Sequence, residues 1–312
     1  MFSGQGSQYF QMGRDLWEGH RVFRRAMLEM DAMVEAELGC SVVEQIFQVS
    51  KTKADRFDRT LYTHPAIFMV EYALVQALAA EGVRPDVVVG SSLGEITAAA
   101  VAGALDLRAA LAAVVWQARV IEASCAPGGM VAVLDDPRLH DAMEPLRAMT
   151  LVSVGFDRHF VLSSDAAAVR EADRFLRCRD VVYQVLPVSH GFHSPQMDPA
   201  RRGFADCQSR WALGTPAIPV VSSVTGGFLD HFGEDYFWRL ARRPILFREA
   251  LAALESSGGG LYVDVGPAET LGNLVKYNLG ANSPSRTVGV ISPFGGEMRR
   301  LELAVALARG LQ

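Results

Sequence analysis

The stretch Asp86-Val-Val-Val-Gly-Ser-Ser-Leu-Gly-Glu95 constrains this chain more than any other. A short apolar run leads into glycines placed two residues either side of Ser92, and an alanine-rich helical run follows. That is G-x-S-x-G in the context the pattern requires, a strand before the serine and a helix after it. Gly90 and Gly94 are needed because a Cβ at either place would collide as the chain reverses, and the serine between them is held on strained backbone. Its Oγ then projects from the C-terminal edge of a sheet, and the amide of Leu93 points where an oxyanion would form. Ser91 would replace it only if the turn slipped by one residue, which misplaces both glycines.

The strand Val87-Val-Val89 is too short and apolar to face water, and helical spacing of Ala, Leu and Val predicts helices over 66–81 and 95–122. Strands interleaved with long helices predict a parallel sheet with helices on both faces. Met1-Phe2 reads as the last residues of a strand. From residue 128 the texture changes. Strands over 130–134, 151–155, 159–163 and 181–187, with helices over 137–147 and 165–177, give the order β-α-β-β-α-β of a ferredoxin-like unit. The expected organisation is therefore an α/β large domain, 1–125 and 191–312, carrying a small inserted subdomain over 126–190. Segments 219–224 and 261–265 read as strands returning to the large sheet.

Composition removes several function classes. A net charge of −5 argues against a nucleic-acid partner, whose footprint would be basic. Cys40, Cys125, Cys178 and Cys207 are scattered without metal-ligand spacing, as idle thiols in a reducing cytoplasm would be. No apolar run reaches the ~18 residues of a membrane span, and the N-terminus lacks the basic and apolar regions of a signal peptide.

A serine needs a base. Of seven histidines, His190 and His193 stand in Ser189-His-Gly-Phe-His-Ser-Pro195, just before a proline-marked turn. His20, His140, His159 and His231 read as surface or core residues, and His64 in Thr63-His-Pro-Ala66 as a cap or wall at a helix start.

Six collinear motifs now carry a resemblance: Phe2-Ser-Gly-Gln-Gly-Ser-Gln8, Thr63–Ala66, Gly90–Glu95, Gly129-Met-Val-Ala-Val133, His190–Pro195 and Val265-Gly-Pro267. In order and across nearly the whole chain, they resemble the landmarks of the malonyl-CoA:acyl-carrier-protein transacylase family, which includes polyketide synthase acyltransferases. The resemblance implies a hydrolase-like α/β domain with a ferredoxin-like insertion. It also implies Ser92 as nucleophile, His193 as base and the backbone amides of Gln5 and Leu93 as oxyanion donors. The family orients its histidine with a main-chain carbonyl, and the matching position falls at Leu246. Asp198 and Asp264 are then structural. A histidine with an ordinary pKa would set the acid limb of activity near 6–7.

Two departures from the family pattern bear on substrate. Ser91 stands where the family usually has histidine, and Gln117 stands where malonyl-transferring members carry the arginine that pairs with the substrate carboxylate. Arg119, two residues on, would face nearly the opposite side of a helix; a shifted register would instead make it the clamp. Losing the clamp implies uncharged acyl groups, because a malonyl carboxylate entering a closed pocket sheds water at a cost of several kcal/mol. With Ser91, His190, Phe192 and His64 as further pocket residues, the chain resembles the free-standing acyl hydrolases of trans-acyltransferase polyketide synthases. These proofread by clearing acyl groups from acyl carrier protein. The alternatives are a trans-acting acyltransferase that loads malonyl or a neutral unit, and a non-catalytic carrier-docking protein. No metal, nucleotide or redox cofactor is implied; phosphopantetheine or coenzyme A arrives with the thioester substrate. Arg201-Arg202, Arg239, Arg242-Arg243 and Arg299-Arg300 are candidates to meet an acidic carrier protein.

Overall fold

The computed structural model describes residues 1–310. In the large domain, strands β1 (Val88–Gly90) and β6 (Val220–Ser222) pair in parallel, and the short β7 (Gly227–Phe228) adds to β6 antiparallel. Strands β8 (Leu261–Asp264) and β9 (Arg286–Gly289) form a second parallel pair. Met1 and Phe2 lie between the two pairs. The Phe2 amide donates to Val89 O at 2.9 Å, and the Val265 amide donates to Met1 O at 3.2 Å. One twisted layer results, with the strand ends that matter at Gly90, Ser222 and Asp264.

Helices cover this layer. Helix Thr60–Ala80 packs between Arg21–Leu38 and Leu107–Ser124. It is apolar nearly all round, and a helix without a polar face is stable only when enclosed. The alanine-rich run expected over 95–122 is two helices, Gly94–Val101 and Leu107–Ser124. Gly103 breaks it at φ 76°, and the Asp106 carboxylate caps the second helix through the Ala109 amide.

The small subdomain comprises β2 (Gly128–Leu134), β3 (Thr150–Phe156), β4 (His159–Asp165) and β5 (Val182–Val185). All pairs are antiparallel in the order β3-β4-β2-β5, which is the ferredoxin-like arrangement. Helix Ala166–Arg177 packs on it, and Val131, Val133, Phe160, Leu162 and Leu176 form a core of its own. The helix expected over 137–147 is two short pieces, because Met143 is extended and Pro145 follows it. The α/β large domain with a ferredoxin-like subdomain is therefore the fold. No helix among the described residues is long and apolar enough to cross a membrane.

Candidate active site

β1 ends in a turn so tight that each glycine has a specific obstacle. A Cβ on Gly90 would sit 2.5 Å from Glu95 Cα, and one on Gly94 would sit 2.1 Å from Phe2 O. The elbow helix is thereby pressed onto β1 and onto the N-terminal segment. Ser92 at the apex has φ 55°, a left-handed conformation that costs a non-glycine residue roughly 1–3 kcal/mol. His193 shares this unusual backbone, with φ 61°. Sequence reading found the first strained residue from its glycines and had no signal for the second.

Ser92 Oγ lies 2.8 Å from His193 Nε2, and His193 Nδ1 lies 2.9 Å from a backbone carbonyl. A carbonyl only accepts, so Nδ1 carries the proton and Nε2 offers its lone pair to the serine hydroxyl. The carbonyl belongs to Arg243, not to Leu246. The Leu246 carbonyl is already committed to the Ala250 amide in the first turn of helix Phe247–Ser256. Arg243, extended at the end of helix Tyr236–Arg242, leaves its carbonyl free. The same helix also grips the histidine backbone, with the His193 amide donating to Ala241 O at 2.9 Å. His193 is buried, and burial lowers its pKa to about 4 against a smaller upward pull from the Arg243 carbonyl.

On its other side the elbow meets residues 3–8. A Cβ on Gly4 would lie 2.7 Å from Ser92 Cβ and 2.9 Å from Ser91 O, so only glycine lets this loop reach the serine. Gln5 is the next residue in this loop. The Gln5 and Leu93 amides donate to no protein acceptor among the described residues, which leaves both for a developing charge. The loop is tied down by Glu71, whose Oε1 accepts from the Ser3 amide at 2.6 Å while its Oε2 accepts from Thr97 Oγ1 at 3.0 Å. The Ser3 hydroxyl lies 3.0 Å from both Glu71 Oε1 and Ser7 Oγ, and Ser7 Oγ donates to Gly4 O at 2.8 Å. Burial pushes the Glu71 carboxyl up to about 8, against the pull of these donors. The Gln5 side chain donates to Thr63 Oγ1 at 2.7 Å.

Around this pair the expected pocket residues divide. Ser91 is buried, its amide on Phe2 O at 2.9 Å. Phe192 lies 5.6 Å from the His64 ring and 6.2 Å from the His190 ring, all three buried. His190 Nδ1 meets Ser189 Oγ at 3.0 Å and Thr60 Oγ1 at 3.2 Å. His64 has no protein partner at either ring nitrogen, and burial lowers its pKa to about 3. Gln117 bonds within its own surroundings. It is buried, with Nε2 3.8 Å from Cys207 Sγ, and makes no hydrogen bond to Ser92 or His193. Arg119 points the other way, exposed and bonded to Glu37 O of helix Arg21–Leu38. It is no carboxylate clamp. Among the described residues no arginine or lysine is buried. Asp264 accepts from the amides of Gly266 and Gly272, and Asp198 pairs with Arg242, so neither touches the histidine.

Sequence reading did not single out Glu71, Gly4, the Arg243 carbonyl or Glu95. Glu95 is fully buried, and four hydroxyl or amide donors on Ser222, Ser223 and Tyr236 converge on its carboxyl. The signal was available in part: Glu95 closes the elbow stretch, and Ser222-Ser223 end the returning strand.

A groove of about 370 Å³ between Val87–Val89 and Leu261–Val263 contains neither Ser92 nor His193, and so does not belong to this chemistry.

Comparison with known proteins gives the family. Residues 1–305 match the acyl transferase domain family. The chain is 42% identical over 302 residues to the polyketide biosynthesis acyltransferase homolog PksD of Bacillus subtilis, covering 96% of this chain and 93% of that protein. It is also 42% identical over 304 residues to its counterpart BaeD of Bacillus velezensis, covering 97% and 94%. Among solved structures, the loading acyltransferase of the avermectin polyketide synthase superposes with a TM-score of 0.86 at 26% identity, covering 99% of this chain and 98% of that one. The second-module acyltransferase domain of the salinomycin synthase gives 0.84 at 32%, covering 100% and 73%. With a serine on a strained elbow and a histidine held by a carbonyl, this chain belongs to the acyl transferase domain family of polyketide biosynthesis.

Proposed function

We propose that this protein is a thioester hydrolase that releases non-carboxylated acyl groups from the phosphopantetheine arm of acyl carrier protein. His193 Nε2 takes the Ser92 proton as Oγ attacks the thioester carbon. The tetrahedral oxyanion meets the amides of Gln5 and Leu93. Collapse breaks the carbon–sulfur bond, the imidazolium returns its proton to the departing thiolate, and the acyl group stays on Oγ. Water then attacks this ester with His193 again as base, giving the free acid and restoring the serine. The acyl group is read by Ser91, Phe192, His190, His64 and Gln117.

The observation that carries the substrate reading is the absence of any buried lysine or arginine among the described residues, together with Gln117 inside and Arg119 outside. A malonyl carboxylate would have to leave water without a countercharge, whereas acetyl, propionyl or butyryl meets no such cost. Transfer to a second carrier thiol is the rival outcome for the same acyl-enzyme. It is supported by the relatives and neighbours, which are named as acyltransferases or their homologs.

Intact-mass measurement decides between them. Butyryl thioester is expected to add an acyl group to Ser92 that disappears in buffer alone with release of free acid, and malonyl thioester is expected to add none. An acyl-enzyme that persists until carrier protein is supplied would mark a transferase. Gln117→Arg is expected to move preference toward malonyl by about 10-fold or more, since a charge-assisted hydrogen bond is worth roughly 1.5–3 kcal/mol.

A further inference from the structure

Glu95, three residues beyond Ser92, takes no part in any of these chemical steps, yet it is fully enclosed at the start of helix Gly94–Val101. Its Oε1 accepts from the Ser223 amide at 2.7 Å, the Ser223 hydroxyl at 2.8 Å and the Ser222 hydroxyl at 3.1 Å. Its Oε2 accepts from the Tyr236 hydroxyl at 2.6 Å. No guanidinium or ammonium among the described residues is buried with it. A carboxyl surrounded only by neutral donors is a costly way to fill a core, so the identity of the segments it joins matters.

Both segments hold the base. Tyr236 opens helix Tyr236–Arg242, and that helix and the residue that caps it grip His193 in turn, by Ala241 O on its amide and by Arg243 O on Nδ1, each at 2.9 Å. Ser223 passes its own carbonyl to the Leu246 amide at 2.7 Å, which fixes the other end of the Arg243–Leu246 link. The carbonyl that orients the histidine is thus suspended between two points. Both are tied to one carboxyl, and that carboxyl rides on the helix that follows directly from the Ser92 turn.

We propose that Glu95 is the positioning residue for His193: it sets the direction and distance of the Arg243 carbonyl relative to Ser92. The proposal rests on the Ser92–His193 chemistry described above. In a serine triad an aspartate touches the imidazole, so it both orients the ring and stabilises its charged form. Glu95 touches only the mounting, and so it supplies orientation alone.

Glu95→Gln keeps the shape but sets an amide NH2 against donors. For acid release from a butyryl-pantetheine thioester, kcat is expected to fall about 10–100-fold with KM within about 2-fold, because small displacements of a catalytic group are felt in the rate. The decisive arm repeats the substitution in a His193→Ala background. There Glu95→Gln should cost nothing further, since Glu95 acts only through the imidazole that has been removed. Tyr236→Phe, a smaller change, should lose rate in the same direction, and the Glu95→Gln/Tyr236→Phe pair should be no slower than Glu95→Gln alone. If Glu95→Gln does not fold, Tyr236→Phe in the two backgrounds carries the same test. A further tenfold loss without His193, or lowered thermal stability with kcat intact, overturns the positioning role. Normal Ser92 acylation with unchanged Glu95→Gln kinetics sinks this proposal alone, whereas a wild type that never acylates Ser92 takes the underlying chemistry down with it.

Discussion

The two sides of Ser92 are held by different kinds of atoms. On the oxyanion side, residues 3–8 approach so closely that Gly4 is fixed by contact with Ser92 Cβ, and side-chain hydroxyls carry the loop back to Glu71. On the base side, His193 hangs from two backbone carbonyls, Ala241 O and Arg243 O. The first arrangement is written in residue identities, and the second is written in backbone path. Substitution should therefore be punished on one side and tolerated on the other at equal distance from the chemistry.

The largest effect removes what both sides serve. Ser92→Ala should abolish acyl labelling and lower turnover by about 10⁴-fold or more with the fold intact, and His193→Ala should be nearly as severe while His190→Ala keeps substantial activity. Labelling of the Ser92→Ala protein would transfer suspicion to Ser91. Gly4→Ala comes next. Its Cβ would enter space held by Ser92 and Ser91, 2.7 and 2.9 Å away. A rate loss of about 100-fold and destabilisation of about 1–3 kcal/mol are expected, read from single-turnover acylation and denaturant unfolding. Wild-type kinetics in that variant would mean the loop is looser than its packing.

The smallest effect tests the opposite side. Arg243→Ala removes an exposed side chain and leaves the carbonyl on Nδ1, so kcat/KM should stay within about 3-fold of wild type, as for surface changes generally. A large loss would show that the guanidinium, and not the backbone, serves the histidine.

Proton linkage separates the sides as well. His193 titrates near 6.5 when unfolded and near 4 when folded, so its contribution to stability is lost as pH falls from about 6.5 to about 4. Glu71 runs the other way. Its carboxyl ordinarily titrates near 4.5 and is raised to about 8 in the fold, so its contribution is whole below about 4.5 and drains away as pH rises through 8. The acid limb of kcat/KM is expected near pH 4, and Glu71→Gln should flatten the decline in melting temperature between pH 5 and 8. An acid limb at 6–7, as an ordinary histidine would give, would mean that water reaches the ring.

What could be read from the sequence follows the same division. Gly90, Ser92 and Gly94 stood out because a tight strand-to-helix turn demands those residues, whereas His193, chosen over His190, and the Gln5 amide came only from the resemblance of the motifs around them. The ferredoxin-like order was legible because short alternating strands and helices have distinct periods. The orienting carbonyl was not, since every residue has one; only the path of helix Tyr236–Arg242 decides that Arg243, and not Leu246, supplies it. The break at Gly103 was hidden by apolar spacing that continues on both sides of it. Glu71 gave no signal, lying inside a helix whose other residues are almost all apolar, far in sequence from the loop it holds.

Both members of the Ser92–His193 pair sit at left-handed φ, where glycine alone is at ease. Activity and robustness are therefore in tension at two defined positions. Glycine at 92 or 193 should relieve strain that the rest of the molecule now sustains, offsetting part of the lost side-chain packing. A population selected only for durability would drift toward silence at these two places. Retention of serine and histidine there under such selection would show that the left-handed backbone costs the fold little.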